Sequence, residues 1–110
     1  MYINLAYICS VSDNSITYRI KENAWVARLA ARKLNTRNMA IVFGSTIYLH
    51  NASREEFLNN RRWFQHELCH VRQYQQYGWV GFLIRYVWES VRRGYRNNRF
   101  EVEARAAELL

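Results

Sequence analysis

The chain has 110 residues, half of them hydrophobic and 15% aromatic, with a formal net charge of +7. That length and composition describe one small folding domain and exclude both a disordered chain and two independent cores. The positive balance favours acidic partners in general, yet the arginines are dispersed from Arg19 to Arg105 rather than clustered, so no nucleic-acid partner is expected.

Met1 to Val11, rich in Ile, Tyr and Leu, predicts a first strand that ends at the turn Ser12-Asp13-Asn14-Ser15. It lacks a basic leader and a small-residue cleavage site, so no signal peptide is expected. Ile16 to Ile20 either continues as a short strand or leads into a helix. Lys21 to Leu34 carries Trp25, Val26, Leu29 and Ala30 at helical spacing, and Asn35 to Asn38 closes that helix. Met39 to Phe43 and Thr46 to His50, linked by Gly44-Ser45, predict a hairpin with Ile47 and Leu49 on one side and Tyr48 and His50 on the other. Ser53 with Glu56 fits a capping box for the next helix. A helix is predicted over Asn59 to Tyr77, closed by Gly78, and an unusually apolar one over Trp79 to Val91. After a loop at Gly94 and Asn97-Asn98, Phe100 to Leu110 reads as a final helix.

No apolar run reaches the roughly eighteen residues of a membrane span. The helix from Trp79 is flanked by Arg85, Arg92, Arg93, Arg96 and Arg99. Completion of the core is its favoured reading, and a membrane-surface or partner-binding face is the alternative. Exposed apolar area there separates the two. Cys9 and Cys69 make no disulfide framework and are expected as reduced thiols in a cytoplasmic protein, with Cys69 a small apolar filler.

Inside the helix Asn59 to Tyr77 stands His66-Glu67-Leu68-Cys69-His70. Residues four apart share one helix face, so both imidazoles can point at a single ion, as His-Glu-x-x-His does when it binds zinc. Glu67 is turned about 100° from His66, which suits a general base reaching a water on the open side of the metal. A third ligand must come from elsewhere. Downstream of His70 there is no further histidine, only Glu89, Glu101, Glu103 and Glu108, and Glu89 is expected to face solvent.

The string Asn98-Arg99-Phe100-Glu101-Val102-Glu103-Ala104-Arg105 looks like the Glu-x-x-Ala-Asp element on the glutamate helix of gluzincin metallopeptidases. From Ala40 onward the hairpin and the string His-Glu-Leu-Cys-His-Val-Arg-Gln are similar to the minigluzincins and related small domains. The resemblance implies one α+β, zincin-like domain over residues 1–110: a short sheet with a hairpin packed on the active-site helix, then an apolar helix and the glutamate helix. It implies one zinc per chain held by His66, His70 and Glu101, with Ala104 the small residue that lets two helices approach. Arg105 departs from the expected Asp, which supports a ligand histidine in the family, and Glu108 one turn on is the candidate replacement. Glu103 is the second candidate for third ligand.

The activity so implied is zinc-dependent peptide hydrolysis with Glu67 as general base and a peptide or protein substrate. Tyr95, before the glutamate helix, is nominated to stabilise the oxyanion, with Tyr86 next. Thr46, Tyr48 and His50 are expected on an edge strand that pairs with substrate. The alternatives are a silent zincin-fold module that holds a protein or nucleic-acid partner through its basic surface, and a latent enzyme blocked by its own termini or by self-association with a second copy.

Overall fold

The computed structural model describes residues 16–110. The expected strand Met1 to Val11, its turn and Cys9 lie outside that range. The described residues form an α+β domain of three strands and five helices in the order β1 (Arg19–Lys21), α1 (Trp25–Leu34), β2 (Met39–Phe43), β3 (Thr46–His50), α2 (Arg54–Asn59), α3 (Arg61–Tyr77), α4 (Trp79–Arg93) and α5 (Arg99–Ala107).

The hairpin forms as expected, with Ile41 opposite Tyr48 and Val42 opposite Ile47. The strand order is β1-β3-β2, because β1 adds parallel to β3 on the side away from β2. β3 is therefore the middle strand, and Arg19 to Lys21 occupies the backbone edge of Thr46 to Tyr48. This corrects the expectation that Thr46, Tyr48 and His50 lie on an edge strand; among the described strands β2 is the edge beside the cleft described below. Alternation along β3 buries Ile47 and Leu49 completely. They join Val42, Phe57, Leu68, Val71, Tyr74, Phe82 and Phe100 in one core. α3 runs through its centre, touching β2, α4 and α5.

Gly44 makes the hairpin turn with φ +63, where only glycine is unstrained, and Trp79 closes over it: an added Cβ would stand 2.1 Å from Trp79 Nε1. Gly44→Ala should therefore destabilise the fold by about 1–3 kcal/mol, read as a lower midpoint in urea.

The helix predicted over Asn59 to Tyr77 forms as α3, starting two residues later at Arg61. Ser53 and Glu56 do form a reciprocal capping box, but on the short α2, which ends at Asn59. Asn60 leaves helical geometry (φ −92, ψ 88), and its side chain accepts from Trp63 N–H to start α3. Gly78 then ends α3 with positive φ, as expected. Glu89 is 5% exposed, not solvated as expected: it accepts from Arg99 N–H at 3.3 Å and pairs with Arg93. Asn98, fully buried, accepts from Phe100 N–H and donates to Tyr86 C=O and Ser90 Oγ. These two side chains pin the start of α5 to α4, and that docking sets where Glu101 lies.

Cys69 is buried against Ala104 and Ala107 between α3 and α5, the filler role expected of it. It is disulfide-bonded, however, so the expected reduced thiol is corrected and the cysteine-based argument for the cytoplasm lapses. No helix among the described residues is long and apolar enough to cross a membrane.

Candidate metal centre

α3 places His66 and His70 one turn apart, and α5 brings Glu101 against both. His66 Nε2 stands 3.2 Å and His70 Nε2 3.3 Å from Glu101 Oε1. One ligand atom from each of the three residues can be chosen so that all lie within 4.8 Å of one another, a group that could hold a metal ion. Two donors each about 2.05 Å from a tetrahedral centre stand about 3.3 Å apart, the spacing these nitrogens keep from the carboxylate.

The outer hydrogen bonds fix which ring nitrogens are available. His66 Nδ1 lies 2.8 Å from Glu108 Oε2, and a carboxylate accepts, so Nδ1 carries the hydrogen. His70 Nδ1 lies 2.8 Å from Gln73 Oε1. The orientation of that amide is set by its nitrogen, which donates to Phe100 C=O at 3.2 Å and Glu103 Oε1 at 2.6 Å. Neutral imidazoles held this way aim two Nε2 lone pairs at Glu101, whose oxygens are also acceptors. Acceptors face acceptors there unless a proton or a cation lies between them. The donor set and its supports thus fit a bound divalent metal.

The electrostatics of the metal-free cluster carry the same demand. Burial alone would lower His70, but its hydrogen bond to Glu101 and the charges of Glu101 and Glu67 hold it up at about 9. His66 is raised too: burial would lower it, and Glu101, Glu67 and Glu108 together outweigh that. Burial would raise Glu101, yet the two imidazoles and Tyr86 hold it far below the usual carboxylate range. Glu67, 7% exposed, is pushed up to about 7 by burial, with the imidazoles opposing.

These directions give a pH dependence for protein stripped of metal. His70 is raised, so its contribution to stability is complete below its ordinary 6.5 and is lost as pH climbs through about 9. Glu67, also raised, loses its contribution earlier, between 4.5 and about 7. Glu101, lowered, works in the opposite sense and weakens the fold only in acid. The melting temperature in chelator should fall from pH 4.5 upwards through Glu67 and continue to fall from 6.5 to about 9 through His70, and a flat profile over that upper range would contradict the pairing of His70 with Glu101.

A cleft opens over the cluster. Its floor is His66, Glu67 and His70, with β2 on one wall and Leu83 and Tyr86 of α4 on another. Tyr95 also lines it, half-exposed, its hydroxyl pushed up to about 12 by burial and by the charges of Glu101 and Glu67. Tyr86 OH instead donates to Glu101 Oε2 at 2.5 Å, so it supports the candidate ligand rather than facing an incoming group. Thr46, Tyr48 and His50 do not line this cleft, and His50 is outside the metal-binding group.

Glu108 occupies the supporting place that Arg105 leaves vacant; Arg105 instead donates to Arg96 C=O. Glu103 faces Gln73 rather than the cluster. Gln73 closes the string His-Glu-Leu-Cys-His-Val-Arg-Gln but is assigned no role from sequence, although its place three residues after His70 on one helix puts it within reach of that ring. Compared with known proteins, the chain matches no family model, no curated protein and no solved structure.

Proposed function

We propose that this domain is a zinc-dependent peptidase of zincin-like fold, with His66, His70 and Glu101 as the metal ligands. The observation that carries the reading is the aim of two Nε2 lone pairs, one part-buried and one buried, at one carboxylate, each ring locked from behind by an acceptor. A bound zinc would supply a Lewis acid and lower the pKa of water towards neutrality. Glu67, beside both imidazoles at the cleft floor, accepts the proton of the attacking water and passes it to the leaving nitrogen. Tyr95 donates to the carbonyl oxygen as that oxygen gains charge. Glu108, Gln73 and Tyr86 orient the ligands.

The substrate backbone lies along β2, the strand bordering the cleft, rather than along β3 as expected from sequence. The direct experiment is metal analysis of purified protein alongside cleavage of an unstructured peptide pool, with and without chelator. Zinc at one per chain and chelator-sensitive cleavage are expected. Failure to bind zinc overturns the reading, and zinc binding without cleavage of any peptide overturns its catalytic half.

The supports give a finer prediction. Gln73→Leu removes the acceptor behind His70 while filling similar space, and zinc affinity should drop about 10- to 100-fold. Competition against a fluorescent chelator reads that change.

A further inference from the structure

A surface helix ordinarily turns its apolar stripe inward and its polar residues to water. α4 has apolar residues on both sides. Phe82 is buried on the inner side, while Val80, Ile84, Val87 and Val91 form a second stripe with 4-3-4 spacing, exposed from 57% at Val87 to 77% at Val91. Trp88 stands beside that stripe and is 60% exposed. Nothing among the described residues covers this face.

Its charge is one-sided. From Tyr77 to Phe100 the sequence holds five arginines and one acid, Glu89, and Glu89 is turned inward. On the helical projection Arg92 and Arg85 fall beyond Trp88 from the stripe, Arg85 with its guanidinium on Gly81 C=O and over the Tyr77 ring, and Arg96 follows in the exposed loop.

We propose that this face of α4 docks on an anionic lipid surface, with the aliphatic stripe and Trp88 in the boundary of the acyl chains and Arg92 and Arg96 on headgroup phosphates. The combination is that of an in-plane amphipathic helix: apolar residues on one arc, cations along its rim, and an indole suited to the interface. Two copies docking through the same face would set arginines near arginines, so the charge favours lipid over a second copy. Leu83 and Tyr86 on the flank of the same helix line the cleft, so docking brings the cleft mouth beside the headgroups. This inference is independent of the zinc reading.

The test is sedimentation of the full chain with vesicles of equal parts phosphatidylcholine and phosphatidylglycerol, against vesicles of phosphatidylcholine alone. Binding is expected only to the anionic vesicles, weakening with salt, with a blue shift of tryptophan emission that Trp88→Tyr removes. Val87→Glu with Val91→Glu, and separately Arg92→Gln with Arg96→Gln, should each weaken binding about tenfold while melting as wild type. Trp88→Tyr, a mild exposed change, keeps the proposal open to refutation if the glutamate variant does not fold. Absence of vesicle binding, equal binding to neutral vesicles, or an unchanged emission spectrum on binding each overturns the proposal. A dimer that Val87→Glu with Val91→Glu dissociates, without vesicle binding, assigns the face to a second copy instead.

Discussion

Glu67→Gln should leave zinc at one per chain and lower peptide cleavage by about 10²- to 10⁴-fold, the usual contribution of a positioned general base. Gln keeps the volume and hydrogen-bonding reach of the native side chain, so the buried floor of the cleft is preserved while the proton acceptor is lost. The environment of Glu67 explains why its loss should be costly. Burial holds it up at about 7 in the metal-free cluster, close to the value at which a base both accepts and returns a proton near neutral pH. A bound cation would draw that value down again, so the measured pH–rate profile of the loaded enzyme, not the metal-free value, reports the working base. Metal analysis and initial rates on the same preparation check the prediction. A variant that retains both zinc and activity removes Glu67 from the mechanism while leaving the metal centre intact.

The parts of this site legible in sequence are those written by helix geometry. The four-residue step from His66 to His70 fixes a shared face wherever the helix lies, and both rings do converge. Glu108 was reachable by the same reasoning, as one turn beyond Arg105 on a helix already placed. The hairpin, with Gly44 at its turn, was also local information. What was not legible is set by partners distant in the chain. The order β1-β3-β2 depends on three residues, Arg19 to Lys21, choosing the far side of β3, and no pattern within Thr46 to His50 records which edge they take. Glu89 looked solvent-facing because acids in apolar helices usually are. Its burial follows from its bond to Arg99 N–H at the start of α5, a partner brought within reach only once α4 and α5 dock. The role of Gln73 likewise appears only when Phe100 C=O and Glu103 turn its amide.

Glu101→Ala should lower zinc affinity by more than about 100-fold, a larger loss than removal of an outer support produces. Glu103→Ala, two residues away on the same helix, should lower it about tenfold at most. The contrast follows from where the two carboxylates point. Glu101 Oε1 lies 3.2 and 3.3 Å from the two Nε2 atoms, while Glu103 Oε1 lies 2.6 Å from Gln73 Nε2 and acts on His70 only through that amide. Both acids are 4% exposed, so the two substitutions create cavities of similar size in similar surroundings. Differences in packing therefore do not account for a gap in affinity between them. Burial pushes Glu103 upward in pKa against the weaker pull of Gln73, His70 and Arg99, whereas Glu101 is held far down. Loss of Glu101 also orphans Tyr86 OH and leaves two imidazoles with no counter-charge. Metal-free Glu101→Ala should therefore lose the fall in melting temperature that His70 produces between pH 6.5 and 9. Titrating zinc into both variants, with melting curves in chelator, tests ligand and support together. Wild-type affinity in Glu101→Ala would mean that the third donor is another group, and collapse of affinity in Glu103→Ala alone would name it.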